Sequence, residues 1–190
     1  MKSPREIEIK LKVKDPPALK KRVKECGFVV VRRRHFESNI VFDFRDLRLR
    51  RSLSLLRLRG EGNRYVLTFK GAPHASDTYK IRTELETWVE DGATLQRILE
   101  ALGLHPVFRY EKYRTAYAEQ GRRKEEGSPT LVYDETPIGY YIELEGWARW
   151  IDRVARRLGY QKGDYITASY AALYQEHCRQ HGLKAADMVF

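Results

Sequence analysis

Like charges recur two residues apart in this chain, inside segments whose other residues are apolar: Glu6/Glu8, Arg57/Arg59, Glu84/Glu86, Lys112/Arg114 and Glu143/Glu145. Side chains two apart share one face of a β-strand. Each pair therefore marks a strand with one ionic and one apolar side. Lys10, Lys70, Arg82 and Asp134 fall on the same ionic faces, giving seven cations and seven carboxylates in all. Such faces in antiparallel sheets ordinarily meet solvent. So many strands patterned this way together admit another arrangement, a closed barrel whose apolar faces lie outside under helices and whose ionic faces line a polar lumen.

The rest of the chain supports strands and helices in alternation. Ile7, Ile9, Leu11 and Val13 alternate with charges from Glu6 to Lys14, and extended runs follow at Phe28–Arg33, Glu37–Phe44, Leu53–Arg59, Tyr65–Lys70, Tyr79–Val89, Phe108–Tyr117, Leu131–Glu135 and Tyr140–Glu145. Asp15-Pro16-Pro17 opens a helix with the apolar stripe Leu19, Val23 and Cys26. Further helices are expected at Asp91–Leu102, Trp147–Leu158 and Thr167–His181, and each of the four is followed by a glycine. Trp147, Trp150, Ile151 and Val154 are spaced as a face packed on the barrel. Glu119–Pro129, charged and glycine-containing, is expected to be a mobile hairpin loop. The pattern predicts an α+β fold, a closed eight-stranded antiparallel β-barrel with helices outside. One domain is expected over residues 1–190, with the C-terminal helix and tail (about 167–190) packed on or beside the barrel.

Charge decides what such a lumen would hold. Lys and Arg number 36 against 26 Asp and Glu, a surplus of ten that favours polyanionic partners. An interior carrying equal numbers of both signs is tolerable when empty, whereas a bare anion would unbalance it. A triphosphate with one or two divalent metals is nearly neutral, given terminal phosphate pKa values of about 6. It can set oxygens against Arg and Lys, and metal against Glu. Cys26 and Cys178 are far apart and predict no disulfide framework. Met1 to Lys14 lacks a continuous apolar core, and no stretch is long enough to span a bilayer, so a cytoplasmic, non-membrane protein is expected.

Glu6-Ile7-Glu8-Ile9-Lys10 resembles the N-terminal ExExK signature of the CYTH, or triphosphate tunnel metalloenzyme, superfamily. Later blocks follow in the family's order: Phe42-Asp43, Leu56-Arg57-Leu58-Arg59, Leu67-Thr68-Phe69-Lys70-Gly71, Arg82-Thr83-Glu84-Leu85-Glu86, Glu111-Lys112-Tyr113-Arg114, Asp134 and Glu143-Leu144-Glu145. Ser169-Tyr170 followed by Leu173, with the run Gly139–Glu145, is similar to the bacterial class IV adenylyl cyclase-like branch. The resemblance implies Mg²⁺ or Mn²⁺ held by Glu143 and Glu145 with Glu84 or Glu86. Glu6 and Glu8 would be ligands of a second metal or orienters of the nucleophile. It implies that Lys10, Arg57, Arg59, Lys70, Arg82, Lys112 and Arg114 grip phosphate oxygens, that Asp134 holds one of these cations, and that Glu6, Glu8 and Lys10 act in catalysis.

The chain departs from the family's pattern at Glu37-Ser38-Asn39, where many relatives carry an acid, and at Ser52 to Ser54, where a glycine is common. These departures leave the substrate's head group open. Tripolyphosphate, ATP or thiamine triphosphate would each suit the implied grip, on a monomer or homodimer. Hydrolysis needs only that grip and an ordered water, while a class IV adenylyl cyclase would aim the ribose 3′-hydroxyl at the α-phosphate. A reading from another class is a non-enzymatic polyphosphate or RNA-binding module, with Tyr and Trp among the arginines available for stacking. Paired carboxylates would repel a nucleic-acid backbone, which makes nucleic acid the poorer partner. His177, Cys178 and His181 have spacing compatible with zinc, but two histidines and one thiol on a surface helix ordinarily serve as polar surface.

Overall fold

A computed structural model describes residues 5–76, 78–121 and 128–190. The expected closed antiparallel barrel is the observed architecture, with strands in the ring order β1-β5-β4-β3-β2-β6-β7-β8. These are β1 (Arg5–Val13), β2 (Phe28–Phe44), β3 (Leu55–Glu61), β4 (Arg64–Lys70), β5 (Lys80–Val89), β6 (Leu104–Glu119), β7 (Thr130–Thr136) and β8 (Gly139–Glu145). Around them lie α1 (Pro16–Glu25), α2 (Arg48–Arg51), α3 (Gly92–Ala101), α4 (Ala148–Arg157) and α5 (Tyr170–His181). Much of the expected Glu119–Pro129 loop, at 122–127, lies outside the described residues.

Two of the expected runs, Phe28–Arg33 and Glu37–Phe44, are one 17-residue strand. Its pairing with β6 slips at Val30/Arg32 and again at Arg32/His35. Each bulge inserts a residue and breaks the two-residue alternation, so the continuous strand reads in sequence as two. The helix α2 carries no apolar periodicity and was not expected. It forms because the buried Asp43 carboxylate accepts from the backbone N–H groups of Leu49 (3.0 Å) and Arg50 (2.9 Å). Those donors would otherwise be left unpaired at a helix start.

Outer faces of the strands make the core. Ile9, Leu11, Leu131, Ile142 and Leu144 are fully buried beneath Leu19 and Val23 of α1 and Trp150, Ile151 and Val154 of α4. Asp15 caps α1 by accepting from Ala18 N at 3.0 Å, which fixes the helix start that lays this stripe on the barrel. Truncating Trp150 to alanine would remove about 3–5 kcal/mol. Trp147 does not share this face, since it is the N-cap of α4 and is 47% exposed. A second core packs Leu99 of α3 together with Phe42, Leu58 and Leu104. There Gly92 lies so close to the Tyr65 ring that a Cβ would come within 2.3 Å, so no larger residue fits without moving the ring.

The third apolar cluster changes the picture of a lumen that is ionic along its whole length. Tyr110 and Tyr141 stand on the inward faces of β6 and β8, two residues from Lys112 and Glu143, and cluster with Tyr170 of α5 and Met188. Met188 bridges Tyr110 in parallel register, with its N–H donating to Arg109 O at 2.9 Å. One end of the interior is thus aromatic, and the ionic stretch begins above it.

Candidate functional site

The ring order places β5, β1 and β8 side by side, so their paired glutamates form one wall of the lumen. Oxygens of Glu6, Glu84 and Glu145 lie within 4.8 Å of one another. Lys70 reaches over from β4, 2.6 Å from Glu6 and 3.1 Å from Glu84. Glu8 and Glu143 are held differently. Glu8 pairs with Lys80 at 2.6 Å and Lys10 at 3.3 Å, and Glu143 with Lys10 at 3.3 Å and with Arg114. Glu86 accepts from Thr68 Oγ1 at 2.7 Å and stands 3.5 Å from Arg57. The carboxylates that approach one another within that distance are therefore one from each of three pairs, while Glu143, on the same wall as Glu145, is engaged by Lys10 and Arg114.

The facing wall is cationic. Arg114 makes a two-point contact with Asp134 at 2.7 and 2.6 Å, and Lys112 joins the same carboxylate at 2.9 Å. Asp134, with no exposed surface, thus holds two of the cations in place. Arg57 is fixed by Tyr110 Oη at 3.2 Å and Thr68 Oγ1 at 3.1 Å, and Arg59 by Glu61 at 2.8 Å. Arg82 lines the lumen with its Nε unpaired among the described residues. Apart from Asp134 and Thr68, which lie behind them, these groups border one cavity of about 590 Å³.

Burial, added to the proximity of Glu8, Glu84 and Glu145, pushes the Glu6 carboxyl up to about 8 even with Lys70 alongside. Burial likewise raises Glu145 to about 7, with Glu84 and Glu8 adding to it. By contrast Glu8 sits well below the usual carboxylate range because Lys10 and Lys80 outweigh its desolvation. Glu143 is low for the same reason, through Arg114 and Lys10. The Glu6/Glu84/Glu145 group is thus short of positive charge, while the rest of the wall is satisfied. Three hard oxygen donors in an undercompensated cluster suit a hard divalent cation. His35, Glu37 and Glu61 also converge within 4.8 Å, but Arg59 and Arg32 face Glu61 while Lys112 and Arg114 face Glu37. A cation there would meet four others, so this cluster braces the cationic wall.

Several of these residues are given no role in the site by the sequence reading. Lys80 and Glu61 lie two residues from Arg82 and Arg59 on the same faces, and parity alone finds them. Tyr110 follows from Lys112 in the same way. Glu37 is hidden by the bulges in β2. Tyr170, whose hydroxyl donates to Asp134 Oδ2 at 2.7 Å, arrives from a helix distant in sequence, and no periodicity announces it.

Comparison with known proteins agrees with this geometry. Over 140 residues the chain is 30% identical to the "Putative adenylate cyclase" of Methanocaldococcus jannaschii, covering 74% of this chain and 75% of that one. A Pyrococcus horikoshii structure matches with a TM-score of 0.74 at 24% identity, covering 90% and 99% of the two chains. A Hippeastrum "putative adenylyl cyclase", described as having a dominant triphosphatase activity, matches with a TM-score of 0.60 at 19% identity over 95% and 97%. These two show a shared fold. Residues 4–170 match the CYTH domain, and with the barrel and its ionic lumen in place the chain belongs to the CYTH domain family.

Proposed function

We propose that this chain hydrolyses a triphosphate held in the barrel lumen with the help of a divalent metal. The observation that carries this reading is the division of one 590 Å³ cavity into a carboxylate wall and an arginine–lysine wall. Arg114 and Arg59 present planar guanidinium groups suited to two-point contact with phosphoryl oxygens, and Lys10, Lys70 and Lys112 act as point charges. Arg57 and Arg82 complete the grip. A divalent cation held by Glu6, Glu84 and Glu145 would supply Lewis-acid polarisation of the phosphoryl oxygens. Positioning and charge stabilisation carry most of the catalysis of phosphoryl transfer.

Glu8 is kept ionised by Lys80 and Lys10, which makes it a weak base and a dependable hydrogen-bond acceptor. It suits the task of orienting a water whose oxygen attacks the terminal phosphorus while the bridging P–O bond breaks. The water's protons end on the released phosphate or in solvent. Cyclisation of ATP is the second reading, favoured by the Methanocaldococcus relative's name, and it would use the same grip with a ribose hydroxyl in place of water.

Incubating the protein with tripolyphosphate, ATP and thiamine triphosphate, each with Mg²⁺ or Mn²⁺, separates the readings by product. Orthophosphate supports hydrolysis, and cyclic AMP with pyrophosphate replaces it by cyclisation. Tight retention of ligand with no turnover of any of the three would sink both and favour a binding module.

A further inference from the structure

The hydrogen bond from Arg57 Nη1 to Tyr110 Oη, 3.2 Å long, joins β3 to β6. β2 lies between those two strands in the ring, so the bond passes over the inward side chains of β2. Beneath it are Asn39, opposite Tyr110, and Val41, opposite Arg57. Asn39 shares its face with Glu37, two residues away, and has no exposed surface. Neither Oδ1 nor Nδ2 of its amide has a hydrogen-bond partner among the described residues. The Nε of Arg57 is buried and unpaired as well.

A buried amide that bonds to nothing costs the fold its desolvation, and leucine would fill the same space without that cost. The amide gains a use once Arg57 turns to a ligand. Its two outer nitrogens are occupied by Tyr110 and Thr68, and these are the donors that a two-point contact with a phosphoryl group requires. When they turn to phosphoryl oxygens, Nε needs an acceptor of its own. The carboxylates nearby are committed, Glu61 to Arg59 and Arg32, Glu37 to Lys112 and Arg114, and Glu86 to Thr68. Asn39 Oδ1 is uncommitted and neutral, so it can steer the guanidinium without cancelling the charge that the phosphate needs.

Resting on the reading of the lumen as a triphosphate site, we propose that Asn39 is a positioning residue for Arg57. When a triphosphate draws the outer nitrogens of Arg57 to its oxygens, Asn39 Oδ1 accepts from Arg57 Nε and fixes the guanidinium in that orientation. The amide acts through the arginine and touches no ligand itself, since it stands behind the residues that line the cavity.

The test titrates tripolyphosphate in Mg²⁺ into the parent protein, Asn39→Leu, Asn39→Ala, Arg57→Lys and the double variant Asn39→Leu/Arg57→Lys by calorimetry, with thermal melts of each free protein. Asn39→Leu is expected to bind about tenfold more weakly, the loss of one hydrogen bond to a charged group. It is expected to melt no lower than the parent, because it gives up no hydrogen bond in the free protein. In the Arg57→Lys background, which lacks Nε–H, the leucine change is expected to weaken binding less than about twofold. Asn39→Ala repeats the binding loss and carries the test if the leucine variant does not fold. Unchanged affinity in both single Asn39 variants, or a tenfold loss that persists beside Arg57→Lys, overturns the positioning role. If the parent protein binds no tripolyphosphate, the triphosphate reading falls and the role of Asn39 with it. The expected binding pattern without turnover overturns hydrolysis alone and leaves that role standing.

Discussion

Tyr170, the first residue of α5, donates a 2.7 Å hydrogen bond to the same Asp134 oxygen that receives Lys112 and Arg114. Ammonium groups of Lys10 and Lys112 also lie 5.3 and 5.2 Å from its ring centre. The C-terminal helix thereby sets where the cationic wall stands. Tyr170→Phe keeps the ring and removes the hydroxyl, with an expected loss of about 1–2 kcal/mol in stability. As Asp134 is freed to shift, KM for the triphosphate is expected to rise roughly three- to tenfold with kcat changed less. A lower melting temperature with KM unchanged would make the hydroxyl merely structural.

Glu145 is the member of the carboxylate group with no ion pair among the described residues, and its neighbours Glu84, Glu8 and Glu143 all raise its proton affinity. Glu145→Gln removes one negative charge and keeps the shape. The Mg²⁺ concentration for half-maximal activity is expected to rise at least about tenfold, because affinity for such ions follows ligand charge count. In EDTA the same variant is expected to melt higher than the parent at pH 8, since repulsion within the group is relieved. Unchanged Mg²⁺ dependence would remove Glu145 from the metal's ligands.

How much of this was legible in sequence depends on what each residue's placement obeys. Glu6, Glu84 and Glu145 could be assigned to one lumen because strand parity fixes their face, and closure of the sheet turns all those faces inward. Which glutamates meet was not legible, since it follows from the register of β1 against β5 and β8, where Glu6 lies opposite Arg82 and Glu8 opposite Glu145. Asp43 matched a sequence block of the family, yet its use in capping α2 depends on a left-handed Leu47 that turns the chain back onto it. Tyr170 depends on where a helix docks, which local pattern does not encode.

The carboxylate group also fixes how the metal-free protein responds to pH. Glu6 and Glu145 hold protons in the folded state up to about 8 and about 7, against an ordinary value of 4.5. Between these limits the folded state binds more protons than the unfolded one, so stability falls as pH rises from about 5 to about 8. The slope is at most about 1.4 kcal/mol per pH unit for each proton retained. Below the ordinary carboxylate range the sign reverses, because Glu8, Glu37 and Glu143 are held low and lose their pairing on protonation. Denaturant melts in EDTA are expected to show greatest stability near pH 5, and saturating Mg²⁺ is expected to flatten the decline. A metal-free profile that rises toward pH 8 would contradict the crowding of these carboxylates.

Lys80 tests the role given to Glu8. Its ammonium is 2.6 Å from Glu8 Oε1, and the only other cation within ion-pair distance of Glu8 among the described residues is Lys10 at 3.3 Å. Lys80→Met withdraws the nearer charge from a buried carboxylate, so the Glu8 carboxyl is expected to hold its proton to higher pH. If Glu8 must be ionised to orient water, the acid limb of kcat against pH moves upward in the variant. Lys80→Arg, which restores a cation, is expected to bring it most of the way back. A stability loss of about 3 kcal/mol accompanies the methionine variant, because it leaves a buried charge underpaired. An acid limb that stays in place in a folded Lys80→Met protein would show that Glu8's charge state does not govern turnover.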